Sequence, residues 1–216
     1  MQLFLDTASI DEVRAAARYG VISGVTTNPS LLAKENGVSY RQRIQEIAAV
    51  IDGPISAECV SRKADDLVAE ARELASWHPN VVVKIPIDPE GLEAIHRCSA
   101  EGIRINTTLI FSPNQALLAA LAGAAFLSPF VGRLDDVSYD GMELVRQCVV
   151  LVETHNLPAR VLAASLRHPL HVTQAALAGA HIGTIPPSLI PQMLKHPLTD
   201  IGIGRFLDDA RKAGLI

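Results

Sequence analysis

Residues 81–87 read Val81-Val82-Val83-Lys84-Ile85-Pro86-Ile87, and this stretch decides the fold class. β-Branched aliphatic residues surround a single lysine, which is typical of a strand that is covered on both faces. Such strands belong to parallel sheets flanked by helices, so the stretch predicts an α/β protein. A lysine in that setting needs a physical reason, which must come from the rest of the sequence.

Seven further β-rich runs recur along the chain, and helical patterns lie between them. The eight predicted strands are Gln2 to Leu5, Gly24 to Thr26, Ile55 to Val60, Val81 to Ile85, Arg104 to Thr107, Phe126 to Ser128, Arg160 to Ala164 and His181 to Ile185. Without a break in composition, these units predict one (β/α)8 TIM barrel over residues 1–216. The rival is an open doubly wound sheet, but no G-x-G-x-x-G or G-x-x-x-x-G-K-[ST] motif follows any strand.

Two more helices are predicted beyond the eighth strand, near Pro187 to Lys195 and near Asp200 to Ala213. The last one has no following strand to cover. We therefore expect it to pack on a neighbouring subunit.

The composition excludes several classes of function. The chain has 19 lysines and arginines against 23 aspartates and glutamates, and a net charge of −4 argues against a nucleic-acid partner. The longest run of apolar and small residues, 116–127, is shorter than the roughly 18 residues of a membrane span. Because the N-terminus has no basic segment, we expect a cytoplasmic protein with no membrane partner.

Polar residues gather where the apolar runs end, and in a barrel these ends form the active site. They are Asp6, Thr26, Asn28, Glu58, Lys84, Asn106, Thr108, Ser128, Arg133, Ser165 and Arg167. None of them is decisive alone.

Lys84 is the strongest candidate for chemistry. Strand alternation puts it on the face of Val82, which is either the barrel interior or the surface beneath the helices. Burial disfavours an ammonium, so the amine can attack a ketone or aldehyde and form a Schiff base. The alternative is a lysine on an edge strand or at a solvated strand end.

A Schiff-base lysine needs acid and base partners, and two carboxylates are suitably placed. Asp6 ends the first strand, and Glu58 stands in an otherwise apolar strand. Alternatively, Asp6 caps the helix that begins near Ser9, and Glu58 pairs with a structural arginine.

Other residues indicate a phosphorylated polyhydroxyl substrate. Hydroxyl and amide groups can bind sugar hydroxyls, while Arg133 and Arg167 near Ser165 suit a terminal phosphate. The alternatives are a helix cap at Asn28 and surface ion pairs for the arginines.

No metal site is expected. His168 and His171 have helical spacing, but no third ligand accompanies them, so they predict a solvated helix face. The cysteines, Cys59, Cys98 and Cys148, are too far apart for a Cys-x-x-Cys motif and are expected to be buried thiols.

Six motifs together resemble the small-transaldolase and fructose-6-phosphate aldolase family, over the whole chain and in order. They are Leu5-Asp6-Thr7-Ala8, Gly24-Val25-Thr26-Thr27-Asn28-Pro29-Ser30-Leu31-Leu32, Val82-Val83-Lys84-Ile85-Pro86, Asn106-Thr107-Thr108-Leu109-Ile110-Phe111-Ser112, Ser128-Pro129-Phe130-Val131-Gly132-Arg133 and Ala163-Ala164-Ser165-Leu166-Arg167. Members of that family are Schiff-base barrels. The resemblance implies that no cofactor is required and that the chain forms a homo-oligomer, a pentamer or a decamer.

The resemblance also implies a role for each site residue. Lys84 forms the Schiff base, Asp6 is the acid and base at the C4 hydroxyl, and Glu58 and Thr108 hold a proton-shuttling water. The implied substrate-binding residues are Thr26, Asn28, Asn106, Ser128 and Phe130, with Arg133, Ser165 and Arg167 at the phosphate.

Glu58 and Phe130 divide the family, because its aldolases typically carry glutamine and tyrosine there. A phenylalanine cannot donate a proton to the enamine, so the resemblance implies transaldolase activity in the pentose phosphate pathway. The alternatives are a fructose-6-phosphate aldolase that releases free dihydroxyacetone, a transaldolase for another anionic ketose, and a non-catalytic barrel that binds sugar phosphates.

Overall fold

The computed structural model describes residues 1–35 and 37–216, which contain eight strands and eleven helices. The strands are β1 (Gln2–Asp6), β2 (Ile22–Thr26), β3 (Ile55–Glu58), β4 (Val81–Pro86), β5 (Ile105–Ile110), β6 (Phe126–Pro129), β7 (Arg160–Ala163) and β8 (Ile182–Ile185). The helices are α1 (Ile10–Ala17), α2 (Pro29–Leu32), α3 (Tyr40–Ala48), α4 (Ala64–Ser76), α5 (Pro89–Ala100), α6 (Pro113–Leu121), α7 (Val131–Asp135), α8 (Gly141–Thr154), α9 (Pro169–Leu177), α10 (Leu189–Leu194) and α11 (Pro197–Lys212).

The strands form one closed parallel barrel in chain order, with β8 paired to β1. The predicted (β/α)8 barrel is therefore confirmed. Helices cover the outside of the sheet with their apolar faces, as α4 does with Leu67, Val68, Ala71 and Leu74.

Several helices that follow strand ends begin with the same local signal, a polar cap and then a proline. Asn28, Asp88, Ser112 and His168 each accept a backbone N–H of the first helical turn, and Pro29, Pro89, Pro113 and Pro169 follow them. This arrangement stops each strand sharply. Each strand end is consequently fixed by the helix that follows it.

The barrel interior is a separate apolar cluster. Phe4, Val82, Phe126, Leu162 and Ile182 pack together, and the Phe4 and Phe126 rings meet edge to face with centroids 6.3 Å apart. Strands that are not neighbours meet in this cluster, so it fills the centre of the barrel. Because side chains alternate along a strand, this cluster places Lys84, two residues after Val82, on the interior face.

Two strands, β3 and β5, end more than one residue away from their predicted ends. β3 stops at Glu58 and not at Val60, because the Glu70 carboxylate accepts the N–H groups of Val60 and Ser61. β5 continues to Ile110, with an irregular register after Thr107. The irregular residues are Thr108 and Leu109.

The C-terminal helix α11 is exposed or half-exposed along its whole length. Its exposed apolar residues include Leu198, Ile201, Ile203 and Phe206. Packing of this helix on a neighbouring subunit stays a prediction. Among the helices of the described residues, none is both long enough and apolar enough to cross a membrane.

Candidate active site

A cavity of about 410 Å³ lies at the carboxyl ends of the strands. All the sequence-predicted site residues line it except Asn106 and Arg167; the lining ones are Asp6, Thr26, Asn28, Glu58, Lys84, Thr108, Ser128, Phe130, Arg133 and Ser165. Active sites of barrel enzymes occupy this position.

Lys84 and Glu58 face each other at the bottom of the cavity. Their Cα atoms are register partners on β4 and β3, and Lys84 Nζ lies 2.8 Å from Glu58 Oε2. The two side chains are 7% and 14% exposed, so the ion pair is almost removed from water. The edge-strand explanation for Lys84 is wrong, because β4 pairs with both β3 and β5. A structural arginine partner for Glu58 is not needed either, since Lys84 balances its charge.

Asp6 supplies a second carboxylate on β1. Its Oδ1 accepts a hydrogen bond of 2.8 Å from Thr26 Oγ1, whereas α1 begins later, after Ser9. Burial raises the pKa of the Asp6 carboxyl, although the nearby charge of Lys84 acts in the opposite direction. A carboxyl with a raised pKa can both hold and release a proton, as acid and base catalysis requires.

Thr184 on β8 extends the hydrogen bonds around Asp6. Thr26 has one hydroxyl proton and gives it to Asp6, so the 2.7 Å contact between Thr26 and Thr184 uses the proton of Thr184. Sequence analysis missed Thr184, because a threonine is an ordinary strand residue. Its place near the end of the eighth predicted strand was the available signal.

Thr108 presents a buried hydroxyl to the cavity. Within the described part of the chain, its Oγ1 has no hydrogen-bond partner. Buried polar groups normally have one, so this atom suits a water molecule or a substrate hydroxyl. The next residue, Leu109, has a left-handed backbone with φ of 58° and also lines the cavity. That conformation is rare for leucine and often occurs at functional sites.

Asn106 lies beneath the cavity and supports it. Its Nδ2 donates to Ser56 Oγ at 3.0 Å, and its Oδ1 accepts from Ser128 Oγ at 2.7 Å. Asn106 is fully buried, and only Ser128 of this trio lines the cavity. Asn106 therefore orients Ser128 in this structure.

Arg133 and Ser165 form the cationic end of the cavity. The guanidinium of Arg133 lies 5.0 Å from the ring centroid of Phe130, in cation–π geometry. Ser165 has a left-handed φ of 58°, and its carbonyl accepts the N–H of Gly132 at 3.0 Å. An arginine, a hydroxyl and the first turn of a short helix meet here.

Arg167 points to a different partner. Its two Nη atoms bond to the two carboxylate oxygens of Asp136, and Arg167 is exposed outside the cavity. The expected direct place of Arg167 at the substrate anion is therefore not seen, because Asp136 already binds its guanidinium. The alternative of a surface ion pair describes this arrangement.

His168 and His171 do not share a solvated face. His168 is exposed and caps α9, but His171 is buried, with Nε2 3.1 Å from Asp135 and Nδ1 accepting the N–H of Arg167. The prediction is wrong for His171, because these bonds draw it into the loop after β7. Across residues 1–35 and 37–216, no group of three or more His, Cys, Asp or Glu side chains is arranged to hold a metal.

The fold and the cavity define a barrel enzyme built around a buried lysine–carboxylate pair. The model of the Transaldolase/Fructose-6-phosphate aldolase family matches residues 3–214, and the chain belongs to this family. A "probable transaldolase" of Desulforudis audaxviator is 60% identical over 209 residues, which cover 97% of each chain. Similar proteins with the same description occur in Roseiflexus castenholzii, 59% identical over 97% of this chain and 96% of the relative, and in Moorella thermoacetica, 55% identical over 98% of each.

Proposed function

We propose that this enzyme is a transaldolase that moves a dihydroxyacetone unit from a ketose phosphate to an aldose phosphate through a Schiff base on Lys84. The observation that carries the proposal is the buried contact of 2.8 Å between Lys84 Nζ and Glu58 Oε2. A lysine that is only structural has no need of a sugar-sized cavity around its amine. The family relationship supports this type of reaction.

The Lys84–Glu58 contact provides a route to a neutral amine. Transfer of one proton from Nζ to the Glu58 carboxylate leaves an amine with a free electron pair and a carboxylic acid. The amine attacks the C2 carbonyl of the ketose and forms a carbinolamine. Glu58 then returns its proton to the leaving hydroxyl, with water held between Glu58 and the Thr108 hydroxyl as the relay.

Asp6 acts at the neighbouring carbon–carbon bond. It accepts the proton of the C4 hydroxyl while the bond between C3 and C4 breaks, and the electron pair moves into the iminium group. The products of this step are an aldose phosphate and an enamine on Lys84. Addition of a second aldose to the enamine reverses the sequence, with Asp6 returning the proton to the new C4 oxygen.

The remaining polar groups suit the rest of the sugar. We infer that Ser128 and Asn28, which line the cavity, bind hydroxyls of the dihydroxyacetone unit, and that Asn106 supports Ser128 through its hydrogen bond. Asn28 uses its Oδ1 to cap α2, so its amide nitrogen is the donor for substrate. Arg133 and Ser165 bind the terminal phosphate, and Arg167 joins them only if it leaves Asp136.

Phe130 favours transfer of the dihydroxyacetone unit to an acceptor over its release as free dihydroxyacetone. Its side chain lines the cavity and carries no proton for the enamine. The enamine therefore persists until an acceptor arrives. The proposed donors are sedoheptulose 7-phosphate and fructose 6-phosphate, and the acceptors are glyceraldehyde 3-phosphate and erythrose 4-phosphate.

We propose that the enzyme works in the pentose phosphate pathway and in the cytoplasm. We further propose a homo-oligomer, in which the apolar side chains of α11 pack against a neighbouring subunit. The exposure of Leu198, Ile201 and Phe206 supports this arrangement.

The first experiment measures release of glyceraldehyde 3-phosphate from fructose 6-phosphate, with and without erythrose 4-phosphate, in buffer with EDTA. We expect release only with the acceptor. Comparable release without it would make the enzyme an aldolase. An acceptor-dependent reaction that prefers a differently charged ketose would identify another transaldolase substrate.

The second experiment traps the covalent intermediate. Borohydride added with fructose 6-phosphate should attach a reduced three-carbon unit to Lys84, as seen by mass spectrometry of peptides. Lys84→Met should take no label. Label on another residue, or none on the wild type, would contradict the Schiff-base proposal.

A further inference from the structure

The hydroxyl of Tyr40 binds the backbone of Glu58 at the end of β3. The N–H of Glu58 donates to Tyr40 Oη at 2.7 Å, and Thr27 Oγ1 lies 2.9 Å from the same oxygen. Tyr40 is the first residue of α3 and lies outside the cavity. It contacts the residue whose carboxylate faces Lys84, although it does not itself line the site.

Proton counting gives the direction of each hydrogen bond. Thr27 has one hydroxyl proton and donates it to the carbonyl of Ser56 at 2.7 Å. The contact between Thr27 and Tyr40 must therefore use the phenol proton, while the phenol oxygen accepts from Glu58. Burial raises the pKa of Tyr40 to about 12, so the phenol keeps its proton through the neutral range.

Tyr40 takes the place of a strand partner that β2 does not provide. The backbone bonds between β2 and β3 end with the N–H of Thr27, which donates to the Ser56 carbonyl at 3.1 Å. The backbone N–H and C=O groups of one residue point to the same side of a strand, and so do those of the residue two positions on. The N–H of Glu58 therefore faces the same side as the Ser56 carbonyl, where β2 has ended. The phenol oxygen accepts this N–H and extends the ordered part of β3 to Glu58.

The Tyr40 ring is itself held in place. Its centroid lies 5.4 Å from the Trp77 ring at an interplanar angle of 80°. Ser39, directly before Tyr40, caps α3 by accepting the N–H of Gln42. The hydroxyl is therefore presented from a fixed helix end and a packed ring.

We propose that Tyr40 is a positioning residue, whose hydroxyl fixes the end of β3 and so aligns the Glu58 carboxylate with Lys84. This inference rests on the proposed function, in which Glu58 exchanges protons with the amine. A misplacement of about 1 Å can lower the rate of such a step by about 100-fold, so a single lost anchor is measurable.

Tyr40→Phe tests the inference, because it removes the hydroxyl and keeps the ring beside Trp77. We expect kcat of the acceptor-dependent reaction to fall about 10-fold, with KM for fructose 6-phosphate changing less than about 2-fold. The pH dependence of kcat should also shift, since the proton exchange at Glu58 changes. Tyr19→Phe is the matched control: it removes the hydroxyl of an exposed tyrosine that does not line the cavity, and it should keep the wild-type kcat and pH profile.

A second pair of variants tests the same hydrogen bonds from the other side, including the case in which Tyr40→Phe does not fold. Thr27→Val removes the acceptor of the phenol proton and should lower kcat, whereas Thr27→Ser keeps a hydroxyl and should retain it. Wild-type kcat and pH profile in Tyr40→Phe, or in Thr27→Val, would overturn the inference. Borohydride labelling of wild-type Lys84 separates the two failures, because absence of label refutes the proposed function itself.

Discussion

Lys84 Nζ and Glu58 Oε2 lie 2.8 Å apart between two register partners of neighbouring strands. The Lys84 side chain is buried and that of Glu58 is only 14% exposed, so bulk water stabilises these charges little. Asp6 also lies within the field of Lys84, as the effect of that charge on the pKa of Asp6 shows. One ammonium thus faces two carboxyl groups at the bottom of the cavity, and Glu58 is its direct partner.

The ion pair predicts that substitutions of Lys84 and Glu58 have strongly coupled effects on the free energy of unfolding. Removing either charge alone, by Lys84→Met or Glu58→Gln, should lower the free energy of unfolding by about 3 kcal/mol, because a buried charge loses its partner. Lys84→Met should cost more, since two carboxylates then lose their cation. The double variant should be more stable than the sum of the single effects predicts, by about 1–3 kcal/mol. Urea unfolding at pH 7 measures all four proteins, and simple additivity would contradict the coupling.

The Asp6 carboxyl is predicted to lower the free energy of unfolding at neutral pH, although the proposed reaction requires it. Its pKa is raised in the folded protein, so the folded state holds the proton more tightly than the unfolded state. The stability associated with that proton is present below the ordinary pKa and lost as the pH rises through the raised value. Asp6→Asn keeps an acceptor for Thr26 and avoids this loss.

We therefore expect Asp6→Asn to unfold at a higher temperature than wild type at neutral pH, with the difference shrinking below pH 4. Its acceptor-dependent activity should fall by about 100-fold, as expected for loss of an acid and base group. Thermal unfolding across this pH range is the measurement. An Asn variant that is less stable at neutral pH would show that the attraction between Asp6 and Lys84 exceeds the cost of burial.

The barrel could be predicted from the sequence because eight apolar runs and the helical patterns between them carry a strong periodic signal. The interior position of Lys84 follows from the same alternation, two residues after Val82. Side-chain direction was harder: Arg167 follows a strand end, as Arg133 does, yet Asp136 binds it outside the cavity. Nothing in the local pattern distinguishes these two arginines.

The left-handed backbone conformations and the long-range hydrogen bonds could not be predicted from the sequence. Leu109 and Ser165 each have a φ of 58°, a conformation that their residue types do not predict. The contact between Tyr40 and Glu58 could not be predicted, because Tyr40 begins a helix and is 18 positions before Glu58 in the chain. Only the closed sheet brings its hydroxyl to the end of β3.

Phe130→Tyr should increase release without an acceptor, because a tyrosine hydroxyl can deliver a proton to the enamine. We expect formation of free dihydroxyacetone from fructose 6-phosphate to rise about 10-fold. Phe111→Tyr is the matched control: its ring contacts Phe130 edge to face, with centroids 5.8 Å apart, but lies outside the cavity. Products that stay unchanged in Phe130→Tyr would contradict the role given to Phe130.

Gly132 is predicted to control the phosphate end of the cavity through close packing. A Cβ at this position would lie 2.5 Å from Arg167 Nε and 2.6 Å from the Ser165 carbonyl oxygen, so Gly132→Ala must push the loop after β7 away. Ser165 would move from Arg133, and a phosphate would lose part of its binding site. We expect KM for erythrose 4-phosphate to rise about 10-fold, which corresponds to one charge-assisted hydrogen bond.

Erythrose, which carries the same aldehyde without the phosphate, should react with Gly132→Ala and wild type at similar rates. Gly102→Ala is the control for general loss of stability: its Cβ meets open space, but its φ of +78° is strained for alanine. This control should unfold about 1 kcal/mol more easily and keep its KM. Equal loss of erythrose and erythrose 4-phosphate turnover in Gly132→Ala would show that Gly132 acts on the whole cavity and not on the phosphate.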